Sequence, residues 1–171
     1  MKNAVFGFAI TIVLTALFWG TNATISDVIY WTPDYKLSWN DFEGDPNHNH
    51  NYKDISAITV SGIVDYRGCE NGKIIYKIQS YFEKKNSWVK LAGRNDHTLE
   101  HEQIHFDITE LYARKLRKEL SGKAFACSEE SKFEAFINDF LIGWQKMQEE
   151  TKSSVSLNER IRKLCCTGAN Y

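Results

Sequence analysis

The chain has little charge of one sign, almost no proline and no repeat or low-complexity tract across its 171 residues. A net charge of −1 offers no electrostatic footing for nucleic acid or an anionic membrane surface. Only Pro33 and Pro46 occur, and no Pro/Gly/Ser-rich linker interrupts the chain, so one domain is the simple reading. The four cysteines are not spaced as in a Cys-rich zinc module.

The one long apolar run stands at the start. Lys2 precedes "AVFGFAITIVLTALFWG", which ends at "TNA". A basic start, an apolar middle and a small-residue site form the layout of a secretory signal. We expect cleavage after Ala23, within a few residues, which leaves 24–171 as the mature domain. An uncleaved anchor is the alternative, since the run approaches the length of a spanning helix. No cysteine follows the run directly, which argues against a lipoprotein anchor. The expectation is an exported protein, periplasmic or secreted, with no stable membrane association after cleavage. Export permits disulfides, and Cys69, Cys127, Cys165 and Cys166 allow three full pairings. Cys165 and Cys166 are adjacent and unsuited to pair with each other; each could reach Cys69 or Cys127.

The front half reads as strands. "KLSWNDF" (36–42) predicts a short strand, "SAITVSGIVDY" (56–66) a second and the alternating "KIIYKIQSYF" (73–82) a third, with "SWVKL" (87–91) paired to the third. Asn71-Gly72 signals a hairpin turn. The back half reads as helices. From about Thr98 to Leu120 there is no glycine or proline, and Ser121-Gly122 gives a stop. A second helix from about Ser128 to Thr151 carries Phe133, Phe136, Ile137, Phe140, Leu141 and Trp144 at helical spacing. "SLNERIRKLC" predicts a short third helix. Strands followed by helices indicate α+β, a small antiparallel sheet packed on two long helices.

Within the first helix, His101-Glu102-Gln103-Ile104-His105 reads H-E-x-x-H. Two histidines at i and i+4 project from one side of a helix and can grip one zinc ion. Glu102 lies about 100° around from His101, where a carboxylate reaches metal-bound water and serves as general base. The histidines share their side with Ile108, Tyr112 and Leu116. Gln103, Asp107, Glu110, Arg114, Arg117 and Lys118 cluster opposite, which we read as the solvated face. Asp107 and Glu110 therefore face away from the metal, and Glu110 is expected to pair with Arg114. His97 cannot join both histidines, because the helix rises about 12 Å between 97 and 105. It is expected at the helix start, or beside the ligands or the substrate. For the third ligand the candidates are Glu130 and Glu134 on the second helix, with Glu130 on its apolar stripe, and the loop histidines His48 and His50. A pair of core histidines with hydrogen-bond partners is the bland alternative to a metal site.

"LEHEQIHFDITELYARKL" resembles the signature of a domain family of predicted secreted bacterial zinc-dependent proteases, L-x-H-E-Q-x-H-F-D-I with a Y-A-R-K-L-like continuation. "LSWNDFEG" (37–44), "AITVSGI" (57–63) and "SWVK" (87–90) are similar to further segments of that family. The resemblance spans most of the mature chain. It implies a minimal zincin-like fold, one Zn2+, export and hydrolysis of a peptide or protein substrate. One departure stands out: the family carries a histidine after a Y-D-x-x-T element, and in "MQEETKSSVSLNERI" Thr151 matches while Ser153 takes the histidine position. Serine is a poor zinc ligand. Glu130, Glu134, Glu149 and Glu150 are then the candidate replacements. Two functions follow. One is an exported zinc metallopeptidase with His101 and His105 as ligands and Glu102 as base. The other is a catalytically degenerate relative acting as a binding or scaffold domain.

Overall fold

The computed structural model describes residues 27–46, 54–151 and 161. The apolar run at the start, His48, His50, Ser153, the "SLNERIRKLC" segment apart from Ile161, Cys165 and Cys166 lie outside those residues.

The fold is α+β. Strands β1 (Val28–Tyr30), β2 (Ala57–Ile58), β3 (Ser61–Glu70), β4 (Lys73–Glu83) and β5 (Trp88–Val89) precede helices α1 (Asp96–Ser121) and α2 (Glu130–Thr151). β3 and β4 form a long antiparallel hairpin whose tip is Asn71-Gly72. Both tip residues have positive φ, 51° and 75°, as the tight turn requires. β1 pairs with the other edge of β4, giving the order β1-β4-β3.

Two expectations need correction. "SWVKL" does not pair with the third strand: β5 pairs with β2, Ala57 opposite Val89 and Ile58 opposite Trp88. β4 has both edges filled by β1 and β3, so no edge remains for β5. Residues 36–42 are not a strand. Trp39–Asp41 form a 3-10 turn, because Asp41 accepts from the Ser38 amide at 2.7 Å and from its hydroxyl at 3.0 Å. A serine followed three residues later by a carboxylate is a helix-start signal, and it prevails over the alternation.

β4 alternates as a half-buried strand should: Ile78, Ser80 and Phe82 are buried and point to the helices. α1 crosses this face and packs on three sides. Phe106 meets Phe82, Leu37, Phe42 and Val89. Ala113, Leu116 and Leu120 meet Ile78, Phe133 and Ile137. Ile104, Ile108 and Leu111 meet Trp144, Met147 and Ile161. α2 comes close enough that a Cβ at Gly143 would stand 3.2 Å from the Tyr112 ring.

The supposed solvated face of α1 is covered in its middle, though Lys118 near its end is exposed. Asp107 and Glu110 are buried, at 2% and 6% exposure. Asp107 accepts from Trp31 Nε1 at 2.9 Å and Gln103 Nε2 at 2.8 Å, and Gln103 accepts from the Leu37 amide. Glu110 pairs with Arg114, as expected, and also with Arg117 and Ser80. The segment from Trp31 to Leu37 adds a layer over polar residues that suit each other, which the helical angle alone does not reveal.

Cys69 and Cys127 form a disulfide that ties the hairpin tip to the turn leading into α2. The same junction is held by Ile74 N–H to Phe125 O and Cys127 N–H to Gly72 O. No described helix is long and apolar enough to cross a membrane. The link closes a loop of sequence separation 58. Replacing both cysteines by serine is expected to lower stability by about 2–4 kcal/mol in urea unfolding. An unchanged midpoint would show that the hydrogen bonds alone hold the junction.

Candidate metal and catalytic site

α1 begins where the Asn95 side chain accepts from the Thr98 amide at 3.0 Å. His97 is exposed in the first turn, at the helix start, as one reading placed it. This start sets His101, Glu102 and His105 in the next turns, beside β2 and the C-terminal part of α2. All three line a cavity of about 710 Å³. One wall is the stretch 54–61; Trp144, Gln148 and Glu149 stand on another.

The imidazoles converge. His101 Nε2 and His105 Nε2 are 3.2 Å apart, with ring planes at 88°. Two zinc–nitrogen bonds of tetrahedral geometry hold their nitrogens about 3.3 Å apart. The donor pair therefore has the span that a zinc ion requires. Burial pushes the His101 pKa down, with help from the neighbouring His97. That favours neutral imidazole, the form that ligates.

Glu102 is 4% exposed, and its Oε2 is buried without a hydrogen-bond partner. Burial pushes its carboxyl up to about 6, against hydrogen bonds from the Thr59 hydroxyl and backbone amide that favour the charged form. A carboxylate in this range is suited to take and return a proton near neutrality. A buried carboxylate oxygen left without a partner in a residue that lines the same cavity as the two imidazoles is a feature that packing alone does not explain.

The candidate third ligands separate clearly. Glu130 and Glu134 are excluded: both face Arg67, at 3.6 Å and 3.0 Å. They sit in the first turns of α2, and position 134 is about 20 Å along the helix from position 148. Glu130 stands at the end of the apolar stripe of α2 that is farthest from the histidines. Glu150 is half exposed and 4.0 Å from Lys146. Glu149 lines the cavity. Among the described residues, no third His, Cys, Asp or Glu completes a metal-holding group with the two histidines.

Sequence reasoning missed Thr59, Thr109 and Gln148. His105 Nδ1 is 2.6 Å from Gln148 Oε1. Gln148 Nε2 donates to His105 O at 2.9 Å and to Thr109 Oγ1 at 3.1 Å. Trp144 Nε1 also donates to Thr109 Oγ1, and Ser61 Oγ lies 2.7 Å from it. A usable signal existed: Gln148 follows Trp144 by four and continues the apolar stripe of α2, where a polar side chain needs a partner.

Glu102 couples the metal-free fold to pH. Its pKa is raised from 4.5 to about 6, so the fold favours the protonated form. That contribution is present below pH 4.5 and is lost as pH rises through 6. Glu102→Gln, unfolded with denaturant in chelator, should therefore gain about 2 kcal/mol over wild type between about pH 4 and pH 8. A difference that does not change with pH would contradict the burial argument. No family model, curated protein or solved structure matches the chain, so the functional reading rests on this geometry and on the sequence motif.

Proposed function

We propose that the protein is an exported zinc-dependent hydrolase of peptide bonds, with a minimal zincin-like arrangement of strand, active-site helix and supporting helix. One observation carries this reading: the His101 and His105 Nε2 atoms converge to 3.2 Å, and the same cavity is lined by Glu102, whose Oε2 is buried with no partner.

His101 and His105 would hold the ion, and Glu149 is the remaining candidate on α2 for a third ligand, which a side-chain rearrangement would bring to the pair. Zinc held there would acidify a water and polarise a substrate carbonyl. Glu102 would take a proton from the attacking water and return it to the leaving amine. Its raised pKa suits both transfers. The stretch 54–61 and Trp144 bound the space in which a peptide would lie.

A second reading is a degenerate binding or scaffold domain. It is favoured by the incomplete ligand group among the described residues. The intact Glu102 favours the hydrolase, since a structural zinc site has no use for an orphaned carboxylate beside it.

Metal content and proteolysis of the purified protein decide between them. Wild type and Glu102→Ala should both carry close to one zinc, with proteolysis in wild type alone. Glu149→Gln should bind zinc at least about tenfold more weakly, as expected for loss of one of three protein ligands. Absence of zinc at micromolar supply would overturn the hydrolase reading. Wild-type affinity in Glu149→Gln would overturn the assignment of that ligand.

A further inference from the structure

The two ends of the Gln148 amide can be told apart by what they meet. Its Nε2 faces the His105 carbonyl oxygen at 2.9 Å, an atom that only accepts. The same nitrogen donates to Thr109 Oγ1 at 3.1 Å. The amide oxygen is therefore the end facing His105 Nδ1, at 2.6 Å. An amide oxygen also only accepts, so Nδ1 carries a proton. A neutral imidazole has one N–H, which leaves Nε2 with a bare lone pair. That lone pair points at His101 Nε2 and the cavity.

We infer that Gln148 is the positioning residue of this site: it fixes His105 as the Nδ1–H tautomer and aims the unprotonated Nε2 at the metal position. The link is double. One end of the amide holds the ring and the other holds the backbone carbonyl of the same residue, so the ring is oriented as well as protonated. Thr109 braces the amide. Its hydroxyl donates back to His105 O at 3.1 Å and accepts from Trp144 Nε1, one turn before Gln148 on α2. The α1–α2 contact thus carries information about the tautomer. The significance for metal binding rests on the zinc reading above, but the tautomer itself follows from the hydrogen bonds alone.

Nitrogen-15 NMR of the histidine rings tests the inference on the metal-free full chain at about pH 8, where the imidazoles are neutral. Wild-type His105 should show a protonated Nδ1 and a bare Nε2. Gln148→Met, similar in shape but without the strong acceptor, should move His105 toward the Nε2–H form. Gln148→Glu retains an acceptor and should keep the proton on Nδ1. In a chelator competition, Gln148→Met should bind zinc about 10–100-fold more weakly than wild type. A wild-type His105 protonated on Nε2, or a tautomer unmoved in Gln148→Met, would overturn the inference. The wild-type spectrum needs no variant to fold. A protein that shows the expected tautomers but takes up no zinc would refute the hydrolase and leave the positioning role of Gln148 standing.

Discussion

Everything in this structure depends on the burial of the middle of α1 on all sides. The turns covered by a sheet, a second helix and an extra segment have no solvated face on which to leave polar side chains. Each must find a partner or be costly. Asp107 finds Trp31 and Gln103, and Glu110 finds Arg114, Arg117 and Ser80. Arg114 also lies over the Trp31 ring at 4.8 Å. Thr109, with no exposure, is bonded to residues from β3, α1 and α2. Against that background, the unpartnered Oε2 of Glu102 stands apart. Orphaned polar atoms in an otherwise satisfied core point to function, because nothing in the packing accounts for them.

The same burial explains how the histidines come to be ordered without a metal. Ile104, Ile108 and Leu111 fix the rotation of α1 against Trp144 and Met147. That rotation sets His101 and His105 toward one cavity and leaves Asp107 and Glu110 on the other side of the helix. Gln148 and Trp144 then reach across from α2, and both meet Thr109. The disulfide between Cys69 and Cys127 anchors the start of α2, some five turns of helix from Gln148 by the usual pitch of about 3.6 residues. The far end of α2 is therefore placed by its contacts with α1, including those made around the site.

Local patterns in the sequence carried most of the fold. The alternation of 73–82, the Asn71-Gly72 turn and the gap in glycine and proline from Thr98 to Leu120 correspond to β4, the hairpin tip and α1. What was not legible depended on distant partners. β1 is three residues long and exists through its pairing with β4. β5 was matched to the wrong strand because local signals do not say which edges are free. At 38–41 a capping signal competed with alternation and won. Helical angles correctly turned Asp107 and Glu110 away from the histidines, but could not show that Trp31 and its neighbours cover that face. For the site, the spacing of His101, Glu102 and His105 was sufficient to bring them to one cavity. The place of Gln148 on the apolar stripe of α2 was legible, but its partner was not, nor was the role of Thr59, since both arise from contacts 43 residues away in sequence. Glu130 and Glu134 were misjudged because nothing local foretold their pairing with Arg67.

We propose that His101 and His105 hold one zinc ion through their Nε2 atoms. Anomalous diffraction at the zinc edge, on crystals of the zinc-loaded protein, tests it most directly. The expected result is a single strong peak about 2.0–2.1 Å from Nε2 of both histidines, on the cavity side. A peak on other residues, with His101 and His105 still bonded to each other, would contradict it.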